Sequence, residues 1–281
     1  MLNFALQIIG FVFINMIVVS GLTVLYGSCG QVSLAQGAFF GIGAYAMALA
    51  SRAHIPSALG LVIALAVSAV FGVIIALPAL RLKGHYLAMG TLAFAELTLW
   101  FFNEATPVTG GVDGISNIGG FGSRLTSMFA IVAILLVVLY ATYALMKGMP
   151  GKCMRALDEN EAGAQACGVD IARIKTYSYI YSAVVAGLGG ALYAAFVGFI
   201  SPSLFASSAS IMFLAMAVIG SRHSFAGPLI AVVALTLVQY ASQIIPMQSE
   251  SVKTLVSSIQ VDLYALLIIG ITLFQARRER S

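Results

Sequence analysis

Roughly nine apolar stretches, each near the ~20 residues that a helix needs to cross a bilayer, follow one another along this 281-residue chain. They fall at about 4–26, 33–50, 58–80, 86–103, 126–146, 176–199, 205–220, 225–245 and 255–274. No other feature constrains the fold as strongly. The pattern predicts an all-α polytopic membrane protein with about eight to ten transmembrane helices, in a single domain over 1–281. Composition excludes the other classes. Hydrophobic residues make up 60% of the chain and charged residues 9%, whereas a soluble domain is ~25% charged. Disorder needs low hydrophobicity and high charge, so it is excluded by the same numbers.

The first stretch lacks the basic region and the cleavage site of a signal peptide, so it reads as a retained helix. The second, 33–50, is short and Gly-rich. It fits a broken or re-entrant helix as well as a full crossing, provided protein or a water-filled cavity surrounds it. Basic residues cluster at Arg81/Lys83, from Lys147 to Lys175, at Arg222, and at Arg277, Arg278 and Arg280. The positive-inside rule puts each cluster, and hence the C-terminus, in the cytoplasm. Two spans separate each cluster from the next, which is self-consistent. Three precede Arg81, so the N-terminus is expected outside if 33–50 crosses.

Two loops stand out. Residues 104–125 are Gly-rich and are expected outside. Residues 147–175 carry nine of the 24 charged residues and are expected inside. Within the latter, Pro150-Gly151 marks a turn. From Lys152 to Cys167 there is no Pro and only one Gly, among good helix formers. Gly168 is placed to stop that helix as a C′ residue. The prediction is a short helix lying across the cytoplasmic end of the bundle. Its composition is compatible with a solvated connector or with a docking element for a soluble partner.

Glu96 is the acidic residue placed deepest in a span. A charge at mid-membrane costs ~2.5–3.5 kcal/mol on insertion scales, so it is expected to face the bundle interior, to be paired, or to be protonated. Asn103 lies seven positions on, along the same helical face. Gln31, Ser33 and Gln36 are polar residues around the start of the second stretch, able to bond neighbouring helices or a polar solute. Gly37/Gly41 and the stripe Ala186, Gly190, Ala194 and Gly198 read as close helix packing. Cys29, Cys153 and Cys167 have no metal-type spacing. His54, His85 and His223 sit at span ends without a second ligand. No Walker A phosphate loop occurs, and no nucleophile–base pair sits at depth. No basic patch suggests nucleic acid.

Five segments together resemble one family, the transmembrane permease subunits of branched-chain amino acid ABC importers, of the LivM type rather than its paired LivH type. They are GLTVLYGSCGQVSLAQGAFFGIGAYAMALA (21–50), PALRLKGHYLAMGTLAFAEL (78–97), TGGVDGISNI (109–118), the stretch from GKCMRALDENEAGAQACGVD to FVGFISPSLF (151–205), and VIGSRHSFAGPLI (218–230). They are collinear and cover most of the chain. The resemblance implies a permease domain that binds no cofactor itself and is not an enzyme. It implies a second LivH-like permease subunit, two ATP-binding cassette subunits that hold ATP and Mg, and an extracytoplasmic substrate-binding protein, assembled in the bacterial inner membrane. The helix Arg155 to Gly168 is similar to the coupling element that seats in an ATPase, with Asp158, Glu159 and Glu161 on it. Gln31, Ser33, Gln36, Glu96 and Asn103 are the candidates for the translocation path. Branched-chain or related apolar amino acids are the implied solutes, with urea, short amides or aromatic acids carried by relatives. A self-sufficient channel for a small neutral solute is the competing class, and it leaves the long charged loop unexplained. The chain departs from the family at His85, where Asp is common, and in ending FQARRERS.

The orientation is checked by cysteine labelling in a cysteine-free background. Asp113→Cys is expected to react with an impermeant maleimide on intact cells, and Glu159→Cys only after permeabilisation. The reverse order overturns the topology.

Overall fold

The computed structural model of the protein describes residues 2–82, 84–220 and 225–244. The expected span 255–274, Lys83, Arg222, His223 and the C-terminal arginines lie outside the described residues. Helix dominates what remains. Among the described residues, five helical segments are long and apolar enough to cross a membrane: Leu6–Ser28, Ser57–Ala79, Arg124–Lys147, Ile171–Val197 and Pro202–Ile219. The chain is thus an all-α polytopic membrane protein.

Helix α1 (Leu2–Leu22) continues into a π-helical turn, Thr23–Ser28. An irregular segment, 29–35, follows, and then α2 (Gln36–Arg52). Helices α3 (Ser57–Ala79) and α4 (His85–Glu104) form the next pair. A single turn, α5 (Thr106–Thr109), opens the glycine-rich loop. Helix α6 (Arg124–Lys147) leads to two short helices, α7 (Met149–Glu159) and α8 (Glu161–Ala166). The long α9 (Ile171–Val197) follows, then α10 (Ser207–Ile219) and α11 (Ala226–Ile244).

The long helices run between two ends. At one, residues 51–57, the glycine-rich loop and the stretch after α9 come together. Gly119 donates to the Ser51 hydroxyl at 2.6 Å, and Ile118 donates to the Gly198 carbonyl at 3.1 Å. Strand β1 (Ile115–Ser116) pairs antiparallel with β2 (Phe199–Ile200), with Ile115 opposite Ile200. The loop expected to be only Gly-rich is therefore tied down, with Ile115 and Ile200 buried. At the other end, Cys29, Met146 and Met154 share a small apolar cluster beneath the charged loop.

Helix α2 is a continuous helix of 17 residues, and nearly all of its length is buried. The irregular backbone foreseen for 33–50 lies just ahead of it, in the π turn and in 29–35. Neighbouring side chains bond backbone amides in that stretch and at the start of α2, as non-helical backbone at depth requires. The Leu34 amide donates to Thr91 Oγ1 at 2.9 Å, and the Gly37 amide donates to Ser210 Oγ at 2.8 Å.

The centre of the bundle is α2 packed on α9, with α3 against both and α1 along α9. Glycine makes the α2–α9 approach possible. A Cβ on Gly43 would overlap the Gly187 backbone, one on Gly190 would overlap the Phe40 carbonyl, and one on Gly187 would overlap Ser68. The stripe Ala186, Gly190 and Ala194 is buried in this seam, while Gly198 ends α9 with φ +78°. Gly37 and Gly41 serve other partners. Gly37 meets Ser210, and Gly41 meets Phe102 and Phe205.

Overpacking a tight seam typically costs about 1–3 kcal/mol. Gly190→Val is therefore expected to lower the thermal midpoint in detergent by about 5 °C or more, with Val62→Ala, at an exposed position, left at the parental value. An unchanged midpoint for Gly190→Val would refute the close α2–α9 contact.

Candidate functional site

The charged loop folds as two helices, where the sequence predicts one from Lys152 to Cys167. The break is at Asn160, which has extended backbone (φ −155°) and whose side-chain oxygen accepts from the Gly163 amide at 2.9 Å. Asn160 is thus the N-cap of α8, a role asparagine fills well because its short side chain reaches the first free amides. Gly168 follows α8 with φ +83°, in open space, and its amide bonds Gln165. This is the stop the sequence predicts.

The two helices are amphipathic in the simplest sense. Met154, Leu157 and Ala164 are buried against the bundle. Arg155, Glu159 and Gly168 are exposed, and Asp158 and Glu161 are half-buried. Arg155 also turns back to the membrane helices. Its guanidinium donates to the Met146 carbonyl at 2.7 Å, so it satisfies a free carbonyl at the C-terminus of α6. Glu161 bonds Lys175 on α9 at 2.8 Å, with the lysine side chain only 7% exposed and the glutamate 35%. Segment α7–α8 is thereby tied to α6 by one side chain and to α9 by another. Lys175 is a residue the sequence does not single out.

Above this segment lies a cavity of about 570 Å³. Gln31, His85, Asp158, Glu161 and Lys175 contribute its polar wall, and Leu82, Leu87 and Leu157 its apolar wall. Gln31 is 7% exposed, and its Oε1 is buried with no hydrogen-bond partner. Cys29 also borders the cavity. Ser178 spends its hydroxyl proton on the Ile174 carbonyl (2.8 Å), so the Cys29 thiol donates to Ser178 Oγ at 3.0 Å. Burial pushes this thiol up to about 11.

The other path candidates lie apart. Ser33 is buried and accepts from the Ala35 amide at 3.3 Å. Gln36 is fully buried, donating to the Val18 carbonyl at 3.1 Å and accepting from Ser182 at 3.0 Å. It therefore knots α1, α2 and α9 together. Glu96 is exposed on the outer face of α4, alongside Met89 and Trp100, instead of facing this chain's own core. Asn103 is half-buried on the same helix. The five candidates thus do not converge, and only Gln31 opens on the polar cavity. A second, larger cavity of about 710 Å³ between α2, α3 and α4 is apolar, walled by residues such as Phe94, Leu97 and Phe101. Among the described residues, no group of three or more His, Cys, Asp or Glu could hold a metal ion.

The sequence pattern of the family described as branched-chain amino acid transport system / permease component matches residues 4–275. Two curated proteins are similar across 77% of this chain and 58% of theirs, in an alignment of 251 positions. One, 32% identical, is the high-affinity branched-chain amino acid transport system permease protein LivM of Salmonella typhimurium. The other, 33% identical, is the LivM of Escherichia coli strain K12. The chain therefore spans a little over half the length of these relatives. No solved structure matches.

Removing Glu161 strands a buried ammonium, whereas removing Lys175 leaves a carboxylate that water still reaches. Breaking a buried pair is the costly direction, discounted here for the partial exposure of Glu161. Glu161→Gln is thus expected to destabilise by on the order of 2 kcal/mol and Lys175→Met by less, with the double variant recovering part of the loss. Equal losses in the two single variants, read by thermal unfolding, would overturn this account of the pair.

Proposed function

We propose that this chain, which belongs to the branched-chain amino acid transport system permease family, is the non-enzymatic membrane subunit of an ATP-driven importer of branched-chain or related apolar amino acids. The observation that carries the proposal is the family match over nearly the whole chain, joined to an amphipathic helix pair suspended between two long helices. Segment α7–α8 is the coupling element. Its exposed side, with Arg155, Glu159 and Gly168, meets an ATP-binding cassette subunit, and its buried side passes the displacement to α6 and α9. ATP and Mg belong to two such partner subunits. In this reading the α7–α8 end is cytoplasmic, as is the C-terminus, in a bacterial inner membrane. The glycine-rich loop with its β1–β2 ladder faces the external binding protein.

A second, LivH-like permease subunit is also part of the proposal, and Glu96 supports it. A carboxylate at mid-depth facing lipid would be expensive. Its outward placement on α4 is accounted for if a second membrane subunit, or the water-filled path between the two subunits, covers that face. Alternating access then follows. Closure of the ATPases presses on α7–α8, and the long helices open first to one side of the membrane and then to the other.

The test is purification of the tagged complex from native membranes, with ATP-dependent uptake of leucine measured in proteoliposomes. Two ATPases and a second permease are expected to co-purify. Glu159→Lys, at an exposed position, is expected to reduce ATPase recovery and uptake about tenfold, the effect of ~1.4 kcal/mol at the contact. A chain that purifies alone and passes solute without ATP would show it to be a channel.

A further inference from the structure

The cavity between 29–32, the start of α4 and segment α7–α8 is built differently from the apolar one. It combines an ion pair of a buried Lys175 with a half-buried Glu161, a buried amide oxygen without a partner on Gln31, and leucine side chains. A buried polar atom left unpaired costs about 1–3 kcal/mol, so Gln31 Oε1 calls for a hydrogen-bond donor from outside the chain. An ammonium and a carboxylate side by side at the wall are the complement of a zwitterion. Such a ligand substitutes for each member of the pair, its carboxylate at Lys175 and its ammonium at Glu161 and Gln31 Oε1. Leu82, Leu87 and Leu157 offer an apolar side chain a surface in the same space.

We infer that this cavity is a binding site for a zwitterionic amino acid with an apolar side chain, occupied at the α7–α8 end of the path, with Gln31 as the residue that recognises the ammonium. The inference deepens the importer reading and rests on it for the solute class. It also follows that the solute touches the coupling segment itself, because Leu157, Asp158 and Glu161 belong to the cavity wall.

The experiment is equilibrium binding of radiolabelled L-leucine to the whole transporter in lipid nanodiscs, without the external binding protein, alongside ATP-driven leucine uptake. Saturable binding is expected for the parent. Gln31→Leu is expected to weaken it about tenfold, the loss of one hydrogen bond to a charged group, and Gln31→Glu, which keeps an acceptor for the ammonium, is expected to retain it. Leucinamide, which lacks the carboxylate, and 4-methylpentanoate, which lacks the ammonium, are expected to compete at least about tenfold less well than leucine. Binding that is as tight in Gln31→Leu as in the parent overturns the site. So does the absence of saturable binding in a transporter that takes up leucine. A transporter that binds leucine through Gln31 but takes none up supports the site and overturns the importer reading instead.

Discussion

The bundle depends on two helix backbones coming into contact. Between helices in a membrane there is little hydrophobic driving force, because lipid tails are as apolar as leucine, and association relies on close packing and hydrogen bonds. Here Gly43 lies against Gly187, and Gly190 against the Phe40 carbonyl, so α2 and α9 approach as closely as chains can. The remaining helices are placed from that seam. Ser68 brings α3 to Gly187, and Gln36 bonds α1 and α9 from the middle of the contact. The chain reaches α2 through the π-helical end of α1 and the irregular 29–35 segment, which leave Gln31 at a cavity wall.

Much of this was legible in the sequence, because a membrane span is set by length and apolarity alone. The apolar runs at 58–80 and 126–146 locate α3 and α6 to within two residues. Helix α9 begins five residues before its apolar run does. Asp170 caps it there, accepting from the Arg173 amide at 3.1 Å, and the first turns of the helix stand outside the apolar stretch. The glycines at 33–50 suggested a break. They are instead what lets α2 be buried on every side, since a glycine that weakens an isolated helix also allows another backbone to touch it.

The site was less legible, and the reason differs from residue to residue. Gln31, Ser33 and Gln36 look alike in sequence, yet one faces a cavity, one folds back on its own loop and one knots three helices. Only tertiary placement separates them. The depth of Glu96 could be read from its position, but which side of α4 meets the core could not, because both sides of that helix are apolar. Lys175 and Glu161 are 14 residues apart, across a helix end and a turn, a spacing that carries no periodic signal. The break at Asn160 did have a signal, an asparagine three residues before Gly163, but it was outweighed by the helix formers on either side.

The break has a mechanical consequence. An unbroken rod from Met149 to Ala166 would move as one body, and a load at any point would tilt both of its ends together. With extended backbone at Asn160, α7 and α8 are two links joined by a pivot. One is strapped to α6 through Arg155, and the other to α9 through Glu161. A push on the first link therefore reaches α6 as well as α9, and a push on the second falls mainly on α9. Such a linkage responds to the direction of an applied force as well as to its size.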